Sequence, residues 1–342
     1  MTNLATNAQI RQAADTLSGD VHASVQNSFL DDSRLIRDAV TDRLRQAAAS
    51  DDASAATPSS AQTVQTRANG MAWWGQFVGS WDRLDSNGNA ASVSDTVGGF
   101  LLGADAPVGD HARVGLASGY TQTGFQMSQR GTTGTSDDKY LSLYAGTQLG
   151  GLDLRAGAAY TEHSLMMDRR LVLSDLDEAA WSRNKAYTAQ AFGEAGYTFA
   201  FKAATLEPFA QAAYVRLNSD SFQEQGSAAA LSGSGSDHAV TYTTLGTHAS
   251  TRFAFNGDLF TAYGTLGWRH TSGYVDPYNV MSFANGDPFT VDGVPIARNA
   301  FVVDAGLAVQ VSPAASLNLT YDGQLARHAV DSGFKGGFTW RF

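Results

Sequence analysis

The chain closes on Phe334-Lys335-Gly336-Gly337-Phe338-Thr339-Trp340-Arg341-Phe342. Successive side chains of an extended strand point to opposite faces. Phe334, Gly336, Phe338, Trp340 and Phe342 therefore share one face, while Lys335, Gly337, Thr339 and Arg341 share the other. An apolar front with a polar back also suits a half-buried sheet in water, so alternation alone decides little. The ending says more, because the aromatic face runs to the final residue with no polar tail. Such a face is expected to meet lipid. Lys and Arg would cost roughly 2–4 kcal/mol on that side at mid-depth, so Lys335 and Arg341 are expected to look into a lumen.

The same period of two runs back through the chain to Trp73. Leu152 to Thr161 puts Leu152, Leu154, Ala156, Ala158 and Tyr160 opposite Asp153, Arg155, Gly157, Ala159 and Thr161, and Leu317 to Asp322 repeats the arrangement. The pattern predicts twelve strands, near 72–82, 97–106, 111–125, 138–149, 152–165, 187–201, 204–219, 239–255, 258–270, 299–311, 315–326 and 332–342. Many are ten residues or longer, the length a tilted strand needs to cross a bilayer.

Links between them alternate in length. Pro107–Asp110, Gly150-Gly151, Lys202-Ala203, Asn256-Gly257 and Ser312–Ala314 are short; Asp82–Thr96, Gln126–Asp137, Met166–Ala186, Asp220–His238 and Thr271–Arg298 are long. A membrane barrel has short periplasmic turns and longer extracellular loops, whereas a soluble sandwich has no reason to sort loops by end. Trp73, Trp74, Tyr120, Tyr160, Tyr197, Tyr214, Tyr321 and Trp340 lie toward strand ends, where interfacial girdles are expected. The fold class read here is an all-β transmembrane barrel of twelve antiparallel strands over residues 71–342.

Composition agrees. Only 16% of residues are charged, low against roughly 25% for soluble domains. There is no Cys, which removes disulfide and thiolate chemistry, and the net charge of −10 argues against a nucleic-acid partner. No apolar run is long enough for a transmembrane helix.

The first 49 residues differ in character: they hold one Gly (Gly19), one aromatic residue of the Phe/Tyr/Trp type (Phe29) and no Pro. Leu17, Val21 and Val25, then Ile36, Val40 and Leu44, recur at helical spacing, opposite a charged side that includes Asp31, Asp32, Arg34, Asp38, Asp42, Arg43 and Arg45. A helix over about 17–48 is expected, followed by a flexible linker at 50–70. Residues 1–10 show no basic-then-apolar leader, so a longer precursor is expected.

Leu17-Ser18-Gly19-Asp20-Val21-His22-Ala23-Ser24, Trp74-Gly75-Gln76 with Gly79-Ser80-Trp81, Phe192-Gly193-Glu194-Ala195-Gly196-Tyr197, Leu206-Glu207-Pro208-Phe209, Gly267-Trp268-Arg269-His270 and Gly293-Val294-Pro295-Ile296-Ala297-Arg298 follow one another in an order that resembles the translocator (β) domain of monomeric autotransporters, the type V secretion family. That resemblance implies a twelve-stranded barrel in the bacterial outer membrane with the N-terminal helix threaded through its lumen. It also implies a covalently attached upstream passenger, a monomeric state, and contact with outer-membrane lipid, periplasmic chaperones and the barrel-assembly machinery, for which Phe338, Trp340 and Phe342 would form the assembly signal.

For the lumen, Arg155, His163, Glu194, Glu207, Arg269, Asp304, Lys335 and Arg341 are the inward charges expected, with Arg34, Arg37, Asp38 and Arg43 as their helix partners. Solvation of an open, water-filled lumen is the competing reading. No Gly-x-Ser-x-Gly elbow and no metal-binding His spacing occurs, so no catalytic residue, metal or cofactor is assigned. Asp237-His238 and Arg269-His270 are the pairs a barrel enzyme would use, and a porin is the other alternative. The helix and linker count against a porin. Some autotransporters cut their own passenger at an Asn within the helix; Asn27 is the candidate, although the paired Asn of that subgroup is missing. Deleting Phe342 should lower the yield of folded barrel before it impairs any transport step, measured as the fraction of heat-modifiable band in isolated outer membranes.

Overall fold

A computed structural model of the chain describes residues 7–55, 70–173, 176–202 and 204–341. Phe342 and residues 56–69 of the expected linker lie outside the described residues.

The sheet is built from long strands in simple up-and-down order: β1 (Ala72–Leu84), β2 (Val93–Val108), β3 (Ala112–Met127), β4 (Thr132–Leu149), β5 (Leu152–Leu173), β6 (Leu176–Tyr197), β7 (Ala204–Ser219), β8 (Ser236–Phe255), β9 (Asp258–Gly273), β10 (Asn299–Ser312), β11 (Ala315–Ala326) and β12 (Ala329–Arg341). Every neighbour is antiparallel, and β12 pairs with β1 from Ala72↔Arg341 to Leu84↔Ala329. These twelve strands form a closed barrel, so no backbone edge faces lipid, where an unpaired N–H or C=O would cost several kcal/mol.

Three expectations change in detail. Residues 126–137 and 166–186 read as loops but are largely strand: β3 runs to Met127 and β4 starts at Thr132, and β5 and β6 stay paired up to Leu173↔Leu176. Their alternation persists above the bilayer, with Met167, Arg169 and Leu171 buried and Asp168, Arg170 and Val172 exposed. These long hairpins rise past the membrane as a parapet. The helical segment also divides into α1 (Asn7–Leu17), α2 (Val21–Asp32) and α3 (Arg34–Ala55). The cause of the first break is Gly19, at φ +67°, a left-handed conformation that glycine adopts without steric cost. Ser33 interrupts α2 and α3 but keeps helical dihedrals (φ −54°, ψ −22°). Third, Trp74 belongs to the lumen and not to an aromatic girdle: it is 4% exposed, against 54% for Trp73.

Outside, Phe77, Leu102, Leu116, Leu141, Tyr160, Trp268, Leu319, Phe338 and Trp340 form the exposed apolar face. The Asn256-Gly257 hairpin has positive φ at both residues (50° and 91°), as a type I′ turn requires. Inside, large rings close over glycines of neighbouring strands. Trp74 covers Gly103 and Tyr144 covers Gly115; the Trp74 Nε1–H donates to Tyr144 Oη at 2.7 Å. A Cβ at Gly115 would lie 2.3 Å from the Tyr144 ring. Gly115→Val should therefore displace Tyr144 and destabilise the barrel by about 1–3 kcal/mol. A fall in the temperature at which the compact gel band converts to the unfolded one is the expected readout.

Candidate functional site

The candidate site is the lumen with α2 and α3 inside it. Val21, Val25, Phe29, Leu30, Ile36, Val40 and Leu44 are all buried, and so are Asn27, Ser28, Arg34, Arg37, Thr41 and Arg43. The helix is enclosed on every side, which explains its thin apolar stripe: most of its circumference meets a polar wall. At 1.5 Å per residue, α2 and α3 together span about 50 Å, more than a bilayer core of about 30 Å.

Near the short-turn end, Arg43 grips Asp105 with two hydrogen bonds, Nε at 2.7 Å and a terminal nitrogen at 2.9 Å. Arg113 holds the same carboxylate from the neighbouring strand at 2.6 Å. Opposite, Arg155 donates to Glu194 at 2.8 Å and Glu207 at 2.6 Å, and Arg45 reaches Glu194 at 2.9 Å. At mid-height, Arg37 donates to Gln190 at 3.0 Å, and Gln190 in turn donates to the carbonyl of Ser33 at 2.7 Å. Arg269 contacts Asp31 at 3.3 Å and stacks 4.9 Å from the Tyr242 ring, while Tyr242 donates its hydroxyl to Asp31. His163 bridges Asp138 (2.7 Å) and Thr188 (2.8 Å), with Phe29 stacked 4.2 Å away.

A third cluster lies higher in the wall. Strand register aligns Asp331 with Asp82 and Asp82 with Asp95, putting three inward carboxylates side by side. Arg34 pairs with Asp331 and, at 3.0 Å, with Asp322; Lys335 stands 3.5 Å from Asp322, and Ser28 donates to Asp95 at 2.7 Å. A helix cation thus enters where the wall is most acidic.

The expected residues distribute as follows. Arg155, His163, Glu194, Glu207, Arg269 and Lys335 are buried, and Arg34 and Arg43 meet wall carboxylates. Arg37 meets an amide oxygen instead, and Asp38 has its ion pair with Arg37 (3.9 Å), inside the helix. Asp304 lies half-buried in register with Asp322, and Arg341 is half-buried at the short-turn end. Phe338 and Trp340 face outward. Asn27 is buried, and its amide nitrogen donates to the carbonyl of Val294. Asp237 and His238 do not act together: Asp237 pairs with Arg216, and His238 stacks on Tyr274 at 3.6 Å.

Asp31, Arg45, Asp105, Asp138, Asp322 and Asp331 escaped the sequence reading as partners. Asp322 could have been found, since it sits on the polar face of the Leu317–Asp322 alternation. Asp138 and Asp331 lie at the margins of the strands expected from sequence, where the period of two gives no inward or outward phase until register is known.

The class defined by this architecture is an outer-membrane β-barrel whose lumen is occupied by its own N-terminal helix. Residues 73–322 match the family model for the autotransporter β-domain. The chain belongs to that family. It is 33% identical over 335 residues to an extracellular serine protease of Serratia marcescens, covering 98% of this chain and 31% of that protein. The chain therefore spans under a third of the length of the curated relatives it matches. The translocator domain of the autotransporter NalP from Neisseria meningitidis superposes with a TM-score of 0.65 at 16% identity, covering 91% of this chain and 98% of that one. The transport unit of AIDA-I from Escherichia coli gives 0.60 at 16% identity, covering 83% and 94%. The protein is thus an autotransporter translocator, an outer-membrane barrel for passenger export.

Arg34 is the ion-pair partner of Asp331 and of the buried Asp322, so Arg34→Ala should leave both carboxylates without their helix cation, Asp331 beside two others. A loss of about 3–5 kcal/mol is expected for breaking such a pair. It should appear as faster hydrogen exchange in α2 and α3, with the strand amides unchanged.

Proposed function

We propose that this barrel carries to the cell surface a passenger joined upstream of its helix, and that α2 and α3 are the last exported stretch, left in the lumen as a plug. The observation that carries the reading is the enclosed helix, whose Arg34, Arg43 and Arg45 each meet wall carboxylates. A diffusion porin has no use for such a matched insert. Membership of the family and the greater length of the Serratia relative support an upstream passenger of hydrolase type, with any protease activity residing in that part.

On this reading Arg155, His163, Glu194, Glu207, Arg269, Asp304, Lys335 and Arg341 line the lumen around the helix, and Arg34, Arg37, Asp38 and Arg43 are its counterpart. Phe338, Trp340 and Phe342 would address the chain to periplasmic chaperones and the assembly machinery, with a monomer in outer-membrane lipid as the product. If the passenger is cut within the lumen, Asn27 is the bond to test. Its buried amide nitrogen is already engaged by Val294, which disfavours attack on its own carbonyl. Asn27→Ala should then leave processing unchanged; accumulation of unprocessed precursor would reinstate Asn27 as the site.

Planar-bilayer conductance separates the plug from the pore. The purified chain should hold a small, mostly closed conductance, and reversing Arg34, Arg43 and Arg45 to Glu together should open it severalfold. A wide, steady conductance in the unaltered chain would favour the porin reading.

A further inference from the structure

The Leu17–Ser24 stretch has so far supplied only a resemblance, yet several of the long loops hold it through specific contacts. Gly19 is its bend, and a Cβ there would lie 2.5 Å from Leu231 Cδ1. The buried Asp20 carboxylate accepts hydrogen bonds from the Ala91 backbone N–H at 2.9 Å and from Arg130 Nε at 3.2 Å. His22 stacks on Phe222 at 3.9 Å and donates to Glu224 at 3.0 Å. Arg169 grips Glu224 with two bonds (3.0 and 2.6 Å), and its other terminal nitrogen donates to the carbonyl of Thr16. Burial alone would raise the Glu224 carboxyl, but the His22 and Arg169 hydrogen bonds outweigh it and hold it down to about 2. Val294 N–H donates to Ser24 Oγ at 3.1 Å, and a Cβ on Gly293 would come within 2.6 Å of the Ser24 nitrogen.

These contacts come from 85–92, 128–131, the β5–β6 parapet, 220–235 and 274–298, so every side of the mouth but the β11–β12 turn contributes. Leu231 and Met281 belong to a small separate sheet (Phe222–Gln223, Leu231–Gly233, Tyr278–Phe283, Phe289–Asp292). Gly293 packs on helix backbone so closely that a bulkier segment could not occupy the same place. The mouth must stand open while other sequence passes and can close only over this one. Gly19 is the single glycine of the first 49 residues, so the bend occurs at one place in the segment.

We propose that Leu17–Asn27 is an arrest sequence and that the long-loop ends of the barrel form a socket for it. Its seating stops outward movement of the chain at a fixed depth and closes the mouth, whereas the arginine–carboxylate pairs below penalise an offset of a whole turn but follow smaller displacements. The proposal rests on the export reading above.

The chain has no cysteine, so single cysteines report position cleanly. Val25→Cys (buried) and Ala14→Cys (exposed) are introduced separately into a chain displaying an epitope ahead of residue 1, and whole cells are labelled with a membrane-impermeant maleimide. In the otherwise unaltered chain Val25→Cys should label at least about tenfold more slowly than Ala14→Cys, as closure by a local folding equilibrium demands. Adding Gly19→Val on the helix side, or Gly293→Val on the loop side, should raise Val25→Cys labelling close to that of Ala14→Cys. The heat-modifiable band and the surface epitope should persist. A displayed epitope with Val25→Cys still protected in both variants overturns the arrest sequence and leaves the export reading standing. An epitope that never reaches the surface in the unaltered chain defeats the export reading and this proposal with it.

Discussion

A guanidinium inside a lipid-embedded barrel has nowhere to place its charge except the wall. The rest of this structure depends on that constraint. Moving an unpaired cation into such an enclosure costs several kcal/mol, and the attraction of a carboxylate offsets this only when geometry is close and remaining hydrogen-bond capacity is filled. Arg43 with Asp105 meets the first condition through a two-point grip at 2.7 and 2.9 Å, while its remaining terminal nitrogen is buried without a hydrogen-bond partner. Each pair therefore gives little net stability but a strong penalty for misplacement. A helix offset by one turn, about 5.4 Å, would strand several charges at once.

The same constraint accounts for the wall. Asp82, Asp95 and Asp331 are neighbours through register alone, and three adjacent inward carboxylates repel unless a cation reaches them. Arg34 does so from the helix, which makes the empty barrel the less favourable arrangement and the filled one self-consistent. Arg155 works differently, since it belongs to the wall and ties Glu194 to Glu207 whether or not the helix is present. Some of the lumen is thus preorganised, and some is completed by the plug.

Much of this was legible in the sequence. Strand number, phase and the inward aim of Arg155, Glu194, Glu207 and Lys335 follow from period two, because one residue of slip would put a charge into lipid. The reach of the strands was not legible. Above the membrane, the Met166–Leu173 stretch still alternates, but its outward side carries the charges of Asp168 and Arg170, so it looks like loop to any reading tuned to lipid. Trp74 misled for a related reason: an aromatic residue near a strand end suits the interface and a roomy lumen equally well, and only Gly103 opposite it favours the inside. Which carboxylate meets which arginine needed the shear of the closed sheet, a long-range quantity that no local pattern encodes.

The two ends of the helix are held by different physics. Toward the short turns, long flexible arginine side chains reach across to carboxylates, and a guanidinium fork can follow small displacements of its partner. Toward the long loops, side-chain pairs such as Arg130 with Asp20 are joined by backbone-against-backbone contact at Gly293 and Ser24 and by a left-handed glycine that fixes the bend, and these last two cannot adjust. A rigid fit at one end and an accommodating one at the other is what a sliding chain needs if it is to stop in one place. Were both ends rigid, transit would be blocked; were both ends compliant, depths less than one helical turn apart would differ too little in energy to define a final state. The position of the plug is therefore set at the mouth, and the charges in the lumen follow it.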